Sequence, residues 1–232
     1  MLTVEKINTF YGEAHTLFDV SLEIQEGEVV ALLGRNGAGK TTTIRSIMGL
    51  TPPRTGKILF KGENIAGLPP YTIANKGVGL VPDNRRIFPN LTVKRNLEIA
   101  RKGNGSKAGW NLERIYEHFP KLKEIEDRMG EVLSGGEQQM LTIARTLMGN
   151  PDLVLLDEPT EGLAPIMVME VMKIVKELKE KGETILLVEQ NSTLALSVSQ
   201  RAYVLENGHM VFSGLVDELI QNKELRQKFL GV

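Results

Sequence analysis

Gly34-Arg35-Asn36-Gly37-Ala38-Gly39-Lys40-Thr41 constrains this chain more than any other segment: a glycine, four residues, then Gly-Lys-Thr. That pattern belongs to a loop that leaves an apolar strand, wraps its backbone N–H groups around a phosphate chain and runs into a helix. The flanks agree. Val29 to Leu33 is a continuous apolar run, and Thr41 to Leu50 reads as a helix stopped by Gly49 and Pro52-Pro53. Gly34, Gly37 and Gly39 let the loop turn tightly, with Asn36 and Ala38 between them. Lys40 offers a cation to the outer phosphates of a nucleoside triphosphate, and the Thr41 hydroxyl, with Thr42 behind it, faces the magnesium that bridges them.

A second half of the site lies far along the chain. Leu153-Val154-Leu155-Leu156 reads as a buried strand that delivers Asp157 and Glu158 to its carboxyl end, the edge at which such sheets bind ligands. Asp157 is a candidate magnesium ligand. Glu158 is a candidate general base for the water that attacks the terminal phosphorus. The expected cofactors are therefore ATP and Mg2+.

Further short strands are expected at Val4 to Ile7, Leu22 to Ile24, Lys57 to Phe60, Val78 to Val81 and Thr184 to Glu189, with a helix near Ile166 to Lys181. Ala202 to Glu206 and His209 to Ser213 read as a hairpin on the Asn207-Gly208 turn, followed by polar helix to the end. Between about Asn84 and Asn150 the pattern turns helical and more polar. These signals predict an α/β fold, a P-loop nucleoside triphosphatase with a mostly parallel central sheet, an antiparallel β subdomain and an inserted helical subdomain at approximately 84–150, all in one domain spanning 1–232.

Composition narrows the partners. Lys and Arg number 28 against 29 Asp and Glu, so no sequence-wide charge attracts nucleic acid. No apolar run approaches the ~18 residues of a membrane span, and the acidic, weakly apolar first residues do not read as a secretory signal, so cytoplasmic function is expected. The absence of cysteine excludes thiolate chemistry and leaves oxygen ligands for any metal. His15, His118 and His209 lack ligand spacing and read as structural or solvated, Trp110 as a helix anchor, and the nine methionines as core filling.

Leu133-Ser134-Gly135-Gly136-Glu137-Gln138-Gln139 resembles the signature sequence of ATP-binding cassette (ABC) proteins. Its serine and glycines open a predicted helix, and so form a second anion-binding surface. The resemblance extends over essentially the whole chain and implies a dimer. In that arrangement Ser134, Gly135, Gly136 and Gln138 of one subunit close on the ATP held by the other. It further implies that Tyr11 stacks on adenine, and that Gly162 and Leu163 lie in a dimer-contact loop in which Ala164 stands where many members carry Asp.

Two other departures carry information. Where most members have a Gln that reaches the magnesium this sequence has Asp83, and where most have a His that contacts the terminal phosphate it has Gln190, an amide that donates a hydrogen bond but does not titrate. Together with Glu161-Gly162-Leu163-Ala164-Pro165, these residues look like the ATPase subunits of branched-chain amino acid importers. Within that resemblance the partners are a second ABC ATPase subunit, identical or related, and integral membrane permease subunits on the cytoplasmic face. Arg85, Arg86 and Phe88 are then candidates for contact with the permease. The alternatives are a non-transport ABC ATPase acting as a clamp or assembly factor, and a nucleotide-dependent binding module that barely hydrolyses.

Overall fold

The computed structural model describes residues 1–101 and 109–227. Polar and apolar side chains alternate through the first two strands, β1 (Leu2–Tyr11) and β2 (Ala14–Ile24), which pair antiparallel. On its other side β1 pairs with β4 (Thr55–Phe60), which carries the two-residue β5 (Glu63–Asn64) at the edge of this four-stranded sheet. Both long strands exceed the short ones read from sequence, and the reason is physical. The ladder shifts register between Val4 and Ile7, and Lys6 and Asp19 take positive φ angles of 43° and 48°, so the period-two pattern breaks inside strands that nonetheless continue.

The second sheet holds six strands: β3 (Val29–Leu33), β6 (Val78–Val81), β7 (Leu153–Asp157), β8 (Ile185–Glu189), β9 (Arg201–Glu206) and β10 (His209–Leu215). Their order is β10-β9-β3-β8-β7-β6, with every pair parallel except the β9–β10 hairpin at Asn207-Gly208. All residues of β3, β7 and β8 are buried, which their unbroken apolar composition requires, because both faces are covered. Val29, Ala31 and Leu33 point to one apolar core, and Val30 and Leu32 point to another. The second core lies against the antiparallel sheet and α1 (Lys40–Ile47).

Helices α3 (Val93–Glu98), α4 (Leu112–His118), α5 (Pro120–Glu124) and α6 (Gly135–Met148) occupy the expected helical stretch, and their apolar residues join the first core together with α7 (Pro165–Glu180). Side chains of Thr92, Asn111 and Ser134 cap α3, α4 and α6 at their N-termini. Residues 102–108, part of that expected stretch, lie outside the described residues. The short α2 (Pro70–Asn75) and α8 (Ser192–Val198) escaped sequence reading because helices of one to two turns show too little periodicity. The polar C-terminal helix is interrupted at Asn222, giving α9 (Val216–Gln221) and α10 (Lys223–Leu225), and residues 228–232 lie outside the described residues. Among the described residues no helix is long and apolar enough to cross a membrane.

Candidate active site

The loop after β3 occupies the carboxyl end of the parallel strands. Gly34 lies so close to the Leu205 carbonyl that any side chain would strike it, and a methyl group added at Gly39, where φ is 109°, would sit 2.6 Å from Leu17 Cδ2. The Gly208 N–H donates to the Ala38 carbonyl at 2.9 Å, so the β9–β10 turn braces the loop from outside. α1 begins at Lys40 with no side-chain cap, leaving its first amides open to an anion.

Lys40 is buried. Its Nζ donates to the carbonyls of Gly34 at 3.0 Å and Arg35 at 3.2 Å, and it pairs with Glu158 Oε1 at 3.1 Å. A carboxylate oxygen thus stands beside the ammonium where a phosphate oxygen fits. The Gln190 amide donates to the other oxygen, Oε2, at 2.8 Å. Burial pushes the Glu158 carboxyl up, but the hydrogen bonds from Gln190 and Lys40 outweigh it and hold the group below the ordinary glutamate range. Glu158 takes a φ of 47°, a left-handed backbone that non-glycine residues rarely adopt and that costs roughly 1–3 kcal/mol.

Thr41 Oγ1 donates to Asp157 Oδ1 at 3.2 Å, which brings a hydroxyl from α1 and a carboxylate from β7 together. Burial pushes the Asp157 carboxyl up to about 6, against the pull of the Thr41 hydrogen bond and with a push from Asp83 and Glu158. This hard-oxygen pair suits magnesium. Among the described residues no three His, Cys, Asp or Glu side chains gather at metal-binding distance.

A cavity of about 340 Å³ is lined by Thr16, Asn36, Gly37, Gly39, Lys40, Thr41, Thr42, Glu158, Glu161 and Gln190. Asp83 and Asp157 line a neighbouring groove of about 550 Å³ that shares Thr41 with this cavity and opens past Leu50, Tyr71 and Arg86. The two openings meet at Thr41, with Lys40 and Glu158 on one side and Asp83 and Asp157 on the other.

The structure does not bring every sequence candidate into the cavity. Tyr11 is exposed at the end of β1 and lies outside the lining. Ser134, Gly135, Gly136 and Gln138 sit at the start of α6, also outside it. Ser134 is exposed and forms a capping box with Glu137: its hydroxyl accepts from the Glu137 N–H at 3.3 Å, and Glu137 Oε2 accepts from the Ser134 N–H at 2.8 Å. Gly136 is buried beneath Met167, and the Gln138 amide turns back to the Leu133 carbonyl at 3.2 Å. Of the three loop residues expected to meet a partner, Arg85 is half-buried. Its guanidinium turns inward to the Glu161 carbonyl at 2.6 Å, whereas Arg86 and Phe88 are exposed.

Three features escaped sequence reading. Thr16, on β2, enters the cavity from the other sheet with no local signal to announce it. Glu161 lines the cavity, and its hydrogen bond to Glu158 raises its carboxyl above the ordinary glutamate range. Glu189, 3% exposed, accepts from Thr160 Oγ1 at 2.7 Å, from the Thr160 N–H at 3.1 Å and from the Gln190 N–H at 3.2 Å. Burial raises its carboxyl too. The histidines are structural: His15 stacks between Phe10 and Phe18, His209 stacks on Phe18, and His118 bonds Glu177 at 3.0 Å. Trp110 precedes α4 rather than lying within it, buried, with its indole N–H on Glu183 at 2.8 Å.

A family profile described as ABC transporter matches residues 17–161. The chain is 42% identical over its full length, and the relative's, to the high-affinity branched-chain amino acid transport ATP-binding protein BraG of Pseudomonas aeruginosa. It is 36% identical to the probable branched-chain amino acid transport ATP-binding protein LivF of Archaeoglobus fulgidus.

 That alignment spans 100% of this chain and 99% of the relative. The lipopolysaccharide export system ATP-binding protein LptB of Haemophilus influenzae is also 36% identical, over 100% of this chain and 97% of its own length. Among solved structures, an ATP-binding subunit of an ABC transporter superposes with a TM-score of 0.84 at 30% identity, covering 100% of this chain and 96% of the other. A dimeric ATP-binding cassette in a post-hydrolysis state with ADP and Pi superposes with a TM-score of 0.79 at 27% identity, covering 93% and 99%.

Proposed function

The chain belongs to the ABC transporter family of ATP-hydrolysing proteins, and from that premise we propose that it is the ATPase subunit of an importer for branched-chain amino acids or related small solutes. The observation that carries the importer reading is the Gln190–Glu158 hydrogen bond of 2.8 Å. The residue at which this sequence departs from most of its family toward the importer pattern is the one that touches the candidate base. The 42% identity with BraG supports the same assignment.

In this reading two chains, identical or related, close on two ATP molecules. The loop and α1 of one chain hold the phosphates, with Lys40 exchanging Glu158 for a phosphate oxygen. The exposed Ser134 and the N-terminus of α6 approach from the mate. Thr41 and Asp157, with Asp83 nearby, would hold magnesium, which when bound would neutralise charge on the outer phosphates. Glu158, released from Lys40 but still aimed by Gln190, accepts a proton from the attacking water. Tyr11, free at the end of β1, offers a ring face to adenine.

The permease meets the groove beside Asp83. Leu50 and Tyr71 are exposed apolar side chains lining it, an arrangement suited to a short amphipathic helix, and Thr41 and Asp157 line it as well. The chain is then cytoplasmic, held on the membrane through that contact, with residues 84–150 acting as the helical subdomain that moves against the rest.

The similarity to LptB supports a second reading, an ATPase subunit of a lipid exporter. Co-purification of the tagged chain from membranes, followed by reconstitution of the complex in proteoliposomes, separates the two. ATP-driven uptake of leucine, isoleucine or valine that is lost in Glu158→Gln supports import. A complex whose ATP turnover is stimulated by lipopolysaccharide and not by those amino acids with their binding protein refutes it.

A further inference from the structure

We propose that Arg85 couples the two nucleotide sites of the working dimer. It does so by tying, within one chain, the start of α6 to the loop behind Glu158. This inference rests on the composite-site reading above, in which α6 serves the mate's nucleotide and Glu158 serves the chain's own.

Three loops meet on one guanidinium. Arg85 Nη2 donates to the Glu161 carbonyl at 2.6 Å. A methyl group added at Gly135 would lie 2.8 Å from Nη1, and one added at Gly162 would lie 3.5 Å from Nη2, so both glycine backbones pass directly against the side chain. Glu161 and Gly162 follow Glu158, while Gly135 is the first residue of α6. Arg85 itself takes a φ of 43°, a left-handed backbone for a residue with a long side chain, and its carbonyl accepts from the Ile87 N–H at 2.8 Å. The next residue is held at the other end of the same helix, where Arg145 of α6 donates to the Arg86 carbonyl.

The guanidinium hydrogen-bonds the Glu161 carbonyl through Nη2 while its Nη1 packs against the Gly135 backbone, a flat two-sided contact that the compact ammonium of lysine does not reproduce. Displacement of the Glu158 loop therefore moves the guanidinium against or away from the Gly135 backbone, and displacement of that turn presses back on the hydrogen bond to Glu161. Arg85 is a positioning residue in this scheme and touches no reacting atom.

The test uses mixed dimers in which one chain carries Lys40→Ala, so that only the other chain's cradle can hold ATP productively. Turnover per intact site is compared with the dimer of two intact chains, once with Arg85 in both chains and once with Arg85→Ala in both. With Arg85 present, disabling one cradle should slow the remaining site by about fivefold or more. With Arg85→Ala the two rates should converge, and Arg85→Lys should behave like the alanine variant. Equal ratios with and without Arg85, or no slowing in the parent, overturn the proposal. Size-exclusion chromatography with ATP completes the test. A Glu158→Gln chain that never dimerises defeats the underlying composite-site reading. A Glu158→Gln chain that dimerises, but loses that ability on adding Arg85→Ala, assigns Arg85 to the interface itself and overturns the coupling role.

Discussion

The Gln190 amide nitrogen lies 2.8 Å from Glu158 Oε2, while Lys40 Nζ lies 3.1 Å from Oε1 of the same carboxylate. The candidate base is therefore gripped from both sides by donors on different elements, α1 and the end of β8. One of those donors, Lys40, is also the group that phosphate must claim. Gln190 is free to keep its grip when Lys40 lets go.

Removing that grip should cost turnover more than binding. Gln190→Ala is expected to lower kcat by about 10- to 100-fold with little change in the KM for ATP. Gln190→Glu should be worse, because it places a like charge beside Glu158. An amide does not titrate, so a limb near pH ~6.5 that vanishes in Gln190→Ala would contradict this assignment. Steady-state kinetics from pH 5.5 to 9 settle it.

Chelation of magnesium should abolish ATP turnover and leave the nucleotide-free chain folded. Thr41 and Asp157 already bond each other at 3.2 Å, so neither polar group is orphaned without metal. Melting curves of the nucleotide-free chain with EDTA and with Mg2+ should nearly coincide. A large drop in Tm on adding EDTA would point to a structural metal instead.

Glu189 should leave a mark on stability against pH. Burial raises its carboxyl, so the folded chain holds that proton more tightly than the unfolded chain, whose glutamate titrates near ~4.3. Its contribution is full below that value and is lost as pH rises through the raised one. Glu189→Gln should flatten this part of the curve in melts between pH 4 and 8. The same variant should slow hydrolysis, because its amide N–H group or its single oxygen must now face three donors, from Thr160 and Gln190.

Gln139 is buried in α6 at 1% exposure, and its Nε2 has no hydrogen-bond partner among the described residues. Leaving a donor unpaired costs roughly 1–3 kcal/mol, so Gln139→Met, similar in volume, should stabilise the nucleotide-free chain by about 1 kcal/mol. Denaturant unfolding at constant m reads this directly.

Asn96, fully buried, accepts from the Phe88 N–H at 2.8 Å and donates to the carbonyls of Phe88, Leu91 and Thr92 at 2.9, 3.1 and 3.1 Å. It fixes the loop that exposes Phe88, whose ring lies 5.1 Å from the Arg145 guanidinium. Asn96→Ala should destabilise the chain by about 2–4 kcal/mol. Phe88→Ala should leave stability within about 0.5 kcal/mol while reducing co-purification of the permease.

The sequence by itself determined the phosphate loop, the buried strands and the acids at their ends, because each is a local arrangement: glycines where backbone must pass closely, unbroken apolar runs where both faces are covered, carboxylates at a strand terminus. It also placed the β9–β10 turn, since Asn207-Gly208 carries its own geometry. Only the tertiary structure decided what meets what. Thr16 enters the cavity from another sheet, Glu189 reaches Thr160 in the turn after the neighbouring strand, and Arg85 reaches the Glu161 carbonyl. A side chain's direction in a loop depends on the carbonyls that distant segments bring within reach, and no spacing along the chain encodes that distance.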